Sequence, residues 1–118
     1  YAFGSANKEP PVSGAKLDSI FNAIKVMVDK IKARGGDVLF VRTPSSGGYL
    51  MAENMGFPRE KYWDKLLANT NCPGIHFSDY PELKHFVCPE NSHLSLSQAK
   101  DFTISFIKIL KEEKGWKF

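Results

Sequence analysis

At 118 residues, with 42% apolar and 25% charged residues, the chain has the length and composition of one globular domain or a piece of one. Its 16 Lys and Arg stand against 13 Asp and Glu spread along the chain, and no basic stripe or block marks it for nucleic acid. The longest apolar runs, such as Val38 to Val41, are far too short to span a bilayer.

Residues 1–14, "YAFGSANKEPPVSG", lack periodicity and predict an irregular lead-in or flap before a domain over 15–118. The chain opens on Tyr1 rather than Met, so a missing leader proves nothing about compartment. From Lys16 to Arg34 the apolar residues Leu17, Ile20, Phe21, Ile24, Met27, Val28 and Ile31 keep the rhythm of an amphipathic helix, which Gly35-Gly36 ends. "DVLFVR" (37–42) holds the continuous β-branched and aromatic run Val38 to Val41, the pattern of a strand covered on both faces in a parallel sheet. "TPSSGG" breaks the chain at that strand's carboxyl end. A short helical stretch around Leu50 to Met55 and a helix from about Pro58 to Ala68 follow, with Tyr62, Trp63, Leu66 and Leu67 on the apolar face.

"NTNCPG" predicts a turn, "IHFSDY" a second strand, and "LKHFVC" (83–88) a strand or an irregular approach to a loop. In the last helix Ser95-x-x-Gln98 is a capping box, Leu94 and Ala99 are set for a staple, and Phe102, Phe106 and Leu110 continue one face to Gly115. Alternating helices and strands make an α/β pattern with two or three strands, a small and mainly parallel sheet.

The two cysteines, Cys72 and Cys88, either pair in an oxidising compartment or sit apart as small core residues. A bridge around 75–87 would stabilise by roughly 3 kcal/mol in the loop-entropy model. The spacings Cys72-x3-His76 and His85-x2-Cys88 are only loosely metal-like, and neither a metal nor another cofactor is expected.

"PENSHLSLSQAKDFT" (89–103) carries an acid three residues before a histidine, in a loop that runs into a helix. Glu90 can fold back onto one imidazole nitrogen of His93 and orient the ring as a general base. The plainer alternative is a polar loop whose side chains meet water and backbone. Ser45 and Ser46 follow the first strand, where α/β sheets place ligands, although Pro-Ser-Ser-Gly-Gly is also ordinary turn chemistry. Arg42 at the same strand end suits an anionic substrate group or a surface ion pair.

The block at 89–103 resembles the C-terminal part of the SGNH (GDSL-type) hydrolases, in which Asp-x-x-His-Leu precedes the last helix. The wider stretch "FPREKYWDKLL…GIHFSDYPELKHFVCPENSHLS" looks like a divergent extracytoplasmic branch of that superfamily, whose members accompany acyltransferases or modify cell-surface glycans. The resemblance covers roughly residues 36–113 and is most specific at 90–94. It implies a three-layer α/β/α, flavodoxin-like fold, present here in part, with His93 as base and Glu90 as its orienting acid. Glu90 departs from the family's usual Asp. The family's Gly-Asp-Ser nucleophile motif does not occur in this sequence, and the Ser5 of "FGSA" follows no strand.

The resemblance therefore implies the C-terminal segment of a serine esterase or acyltransferase of the bacterial cell envelope. An upstream part of the same protein would supply the nucleophile, and the substrate would be an ester or an acylated glycan. The alternative is a non-catalytic α/β binding or assembly domain of a cell-envelope protein.

Overall fold

Residues 13–90 and 93–117 are described by a computed structural model of the chain. The expected lead-in, with Ser5, falls almost entirely outside them. The chain divides into two compact units, Tyr1–Val38 with Asn54–Cys72, and Leu39–Glu53 with Pro73–Phe118.

In the first unit, α1 (Gly14–Ala33) buries Leu17, Phe21 and Val28 on one stripe, as the periodicity predicts. Gly35 and Gly36 close it with the two bonds of a Schellman motif. The Gly36 N–H donates to Ile31 O and the Gly35 N–H to Lys32 O, both at 3.0 Å. Gly35 sits at φ +83°, and a Cβ on Gly36 would stand 2.8 Å from Ile31 Cγ2, so the two glycines are needed for different reasons. The helix expected from Pro58 is broken in two. A single 3-10 turn (Arg59–Lys61) precedes α3 (Trp63–Thr70), because the chain at Tyr62 (φ −123°) leaves the helical region. The end of α3 is held from α1, where Lys32 Nζ donates to Thr70 O at 3.2 Å and Asn71 O at 3.0 Å. A cation placed on terminal carbonyls is favoured by the helix dipole.

The second unit holds a parallel pair, β1 (Phe40–Arg42) and β2 (Gly74–His76), in the register Phe40↔Gly74, Val41↔Ile75, Arg42↔His76. Both strands are shorter than the apolar runs predict. β2 stops at His76 because a 3-10 turn (Phe77–Asp79) starts there, capped by the His76 ring. With two strands in the sheet, coverage is uneven: Ile75 is wholly buried while Val41 is 43% exposed. The short helix α2 (Gly47–Gly56) begins in the loop after β1.

"LKHFVC" forms no strand. Pro81–Lys84 is a one-turn helix, α4, with Pro81 at its start, and the chain then runs irregularly to Cys88. The last helix, α5 (Leu96–Glu112), has the full capping box on Ser95 and Gln98. The unit's core joins Ile75 and Phe77 to Leu83, Phe86, Phe102, Ile109 and Leu110, with Leu39, Leu50, Leu94, Phe106 and Trp116 packed against them. Phe102 stands edge-on to Phe86 and stacks on Phe106, each with ring centroids 6.0 Å apart. The architecture is thus a mixed, helix-rich one with a small parallel sheet. Among the described residues, no helix is long and apolar enough to cross a membrane.

Candidate functional site

The parallel register ends both strands side by side, so Arg42 and His76 share the carboxyl edge of the sheet. Arg42 is heavily engaged. It pairs with Glu53 of α2, donates to Thr43 O at 2.6 Å and to Ser45 Oγ at 3.2 Å, and lies over the Phe77 ring at 5.7 Å. The ion pair with Glu53, one of the two roles the sequence leaves open for Arg42, is therefore formed, and an anionic ligand would have to compete with that carboxylate. Ser45 is 5% exposed and accepts the Arg42 bond. Ser46 is half-buried, and its Oγ accepts the Cys88 N–H at 3.0 Å.

Cys88 bonds the same loop twice, since its Sγ also donates to Pro44 O at 3.4 Å. Glu90 is two residues further on, a reach of at most about 7 Å along the chain. The loop after β1 is therefore hydrogen-bonded to the chain at Cys88, just before the Glu90–His93 segment. Cys88 makes this link from a buried position, as one of the small core residues the sequence allowed.

Within that segment His93 Nδ1 lies 3.0 Å from Glu90 Oε1, the contact that the spacing predicts. A carboxylate on Nδ1 selects the tautomer with the proton on that nitrogen and makes Nε2 the proton acceptor, the arrangement required of a general base. The side chains of His93 and Glu90 are 72% and 70% exposed. Solvent screens such a pair, so its own attraction contributes little to stability.

Gln98 bonds described residues before and after the pair. Its Oε1 accepts the Ser95 N–H at 3.1 Å, as a capping box requires, while its Nε2 donates to Val87 O at 3.0 Å. One side-chain amide thus bridges residues on either side of the segment that carries Glu90 and His93. The capping box is legible in the sequence, but the bond to Val87 has no signature there.

A second serine and histidine meet at the end of β2, with Ser78 Oγ 2.8 Å from His76 Nδ1. The Ser78 N–H points at the same nitrogen at 3.3 Å, so the ring closes the local turn. His85 Nδ1 is 3.2 Å from Pro81 O, and its ring tilts against Phe86 at 4.2 Å. Cys72 and Cys88 are free, buried thiols, and the bridge considered from their spacing is not formed. Each has a backbone carbonyl as its partner instead, Thr70 O at 3.6 Å for Cys72. Among the described residues, no three His, Cys, Asp or Glu side chains gather as metal ligands. Tyr62 is half-buried, with its ring edge-on to Phe57 at 5.2 Å.

The chain matches no family model, no curated protein and no solved structure.

Proposed function

We propose that this chain carries the base and the orienting acid of an SGNH-type serine esterase or acyltransferase. His93 is the general base and Glu90 holds its ring. The observation that carries this reading is the 3.0 Å contact between Glu90 Oε1 and His93 Nδ1. The parallel pair β1–β2 with loops at its carboxyl edge is compatible with part of a three-layer α/β/α domain. The reaction is hydrolysis or transfer of an ester, with an O-acetylated glycan of the cell envelope as the substrate class. The nucleophilic serine comes from an upstream part of the same protein, because the Gly-Asp-Ser motif of that superfamily does not occur in these 118 residues. His93 takes the proton of that serine as it attacks the ester carbonyl, then returns it to the leaving alcohol.

A second reading is an α/β binding or assembly domain without chemistry. The high exposure of both members of the pair, and the intramolecular use of Arg42, favour it.

The test compares this chain with the longer polypeptide encoded by its gene, on p-nitrophenyl acetate and on an acetylated glycan. The expected result is negligible turnover by the 118 residues alone, and turnover by the longer protein that His93→Ala abolishes. Turnover that survives His93→Ala would exclude the catalytic role, and a longer protein inert on every ester would favour the binding domain.

A further inference from the structure

Independently of the histidine loop, we infer that α1 is a docking site for an amphipathic helix of a separate polypeptide, apolar along one seam and acidic along its edge. The basis is a second apolar stripe on α1, exposed beside the buried one and bordered by cations.

The sequence puts Leu17, Ile20, Phe21, Ile24, Met27, Val28 and Ile31 on one face of α1, but packing against α3 uses only one side of that face. Leu17, Phe21 and Val28 are buried. On the same side Asp18 meets Lys65 Nζ of α3 at 2.6 Å, and Lys32 reaches the carbonyls of Thr70 and Asn71. Ile20, Met27 and Ile31 stay 43%, 59% and 45% exposed, with Ile24 half-buried beside them. At about 100° per residue these four cover about 60° of the helix surface. They follow one another at the alternating three- and four-residue spacing of a coiled-coil seam.

The far border of this stripe is basic. By helical position Lys16, Arg34 and Lys30 come next after Met27, and all three are exposed. Among the described residues, none of the three has a carboxylate partner. The acids of α1 lie on other sides of the helix and are engaged, Asp18 with Lys65 and Asp29 with Lys25 at 2.6 Å. An apolar seam edged by such cations is complementary to an apolar seam edged by carboxylates. Lys16 and Lys30 stand about 21 Å apart along the axis, so the matching acids spread over about four turns.

The same features weigh against other occupants. A second copy would set these cations against their own images across a two-fold axis, with no acid on the border to meet them. A lipid surface takes a wide apolar arc, whereas this stripe is narrow and has α3 at its other edge. Residues 1–14 bring a single acid, Glu9, beside Lys8 and two prolines, which is not the partner's chemistry. A segment that closed the stripe permanently would meet a core-like surface, while a narrow seam with a charged rim is the make-up of a reversible interface.

The probe is a labelled helical peptide of about 20 residues, the length that spans α1, with Leu and Ile at the seam positions and Glu beside them. A second peptide carries Lys in place of Glu. Binding to the full 118-residue chain is read by fluorescence anisotropy, with circular dichroism confirming that each variant stays folded. The Glu peptide should bind about tenfold tighter than the Lys peptide, and the difference should shrink at high salt. Met27→Asp, at an exposed position, should weaken the Glu peptide by about tenfold. Lys16→Glu/Lys30→Glu should reverse the preference between the peptides. Lys61→Glu/Lys84→Glu, the same charge change at exposed positions elsewhere, should leave it as it was.

Failure of the Glu peptide to bind, or a preference that the double substitution on α1 does not reverse, would overturn the inference. So would binding through Met27 to vesicles of phosphatidylserine and phosphatidylcholine in place of the peptide, or a dimer of the chain that Met27→Asp splits. The longer polypeptide encoded by the gene should take the Glu peptide equally well. If it does not, its own upstream part fills the stripe, and the separate partner is excluded.

Discussion

Replacing Ile75 by Ala tests whether the second unit is organised around β2. Ile75 is the middle residue of that strand, pairs in register with Val41, and has no exposed surface. It belongs to the same core cluster as Phe77, Leu83 and Phe102. The substitution removes three carbons, which at about 0.8 kcal/mol each come to about 2.4 kcal/mol of transfer free energy. The space left behind relaxes only partly and adds to this, for a total of roughly 3 to 4 kcal/mol. Ile104→Ala on α5 is the control, since Ile104 is 60% exposed and the change should stay within about 0.5 kcal/mol. The assay is urea unfolding followed by Trp116, which packs against this core, in a Trp63→Phe background that leaves it as the sole tryptophan. With a slope near 2 kcal/mol/M, Ile75→Ala should lower the midpoint by roughly 1.5 M relative to that background. Equal midpoints for the two alanine variants would refute the assignment of Ile75 to the centre of the core.

Two further predictions concern single groups. The Tyr80 pKa is pushed up to about 12, first by burial and then by the Glu113 carboxylate that accepts its O–H at 2.9 Å. The fold favours the neutral phenol, so this contribution is whole below the ordinary tyrosine value of about 10 and is lost as pH rises toward about 12. Phenolate absorbance should therefore show a late-titrating phase that is absent in Tyr80→Phe, and a variant that keeps this phase would exclude the assignment. Cys72 and Cys88, both free and buried, should react slowly with a thiol reagent in the native chain and give two thiols per chain on unfolding without reductant. Recovery of none would mean that the two are bridged after all.

How much was legible in the sequence depended on how far apart the interacting groups lie along the chain. Ser95-x-x-Gln98 and Gly35-Gly36 could be read directly, because a capping box and a Schellman motif are closed by residues within about one turn of each other. The Glu90–His93 contact belongs to the same class, a spacing of three that the loop backbone can satisfy locally. The amphipathic stripe of α1 was visible for a related reason, since helical periodicity repeats the same local geometry.

The strands show where local reading stops. "DVLFVR" has four consecutive apolar residues and "IHFSDY" alternates, yet β1 takes three residues from the first and β2 only Ile75 and His76 from the second. Strand length is decided by what pairs alongside, and in β2 by the His76 ring that starts a turn at the point where propensity would continue. "LKHFVC" carries the same β-like composition but became the end of a helical turn and an irregular run, with Leu83 and Phe86 directed into the core.

At the candidate site the division is the same. The sequence by itself determined which groups were chemically interesting: Arg42, Ser45, Ser46, Glu90 and His93. Tertiary structure decided what they touch, and it bonded Ser46 to the Cys88 amide, two residues before Glu90, across 42 residues. It also decided that Arg42 meets Glu53, that each thiol meets a carbonyl, and that Gln98 reaches Val87 as well as its own helix start. A hydrogen bond between distant segments leaves no periodicity or spacing behind. It exists because folding buries an amide such as that of Cys88 where water cannot serve it, and the nearest hydroxyl then becomes its partner.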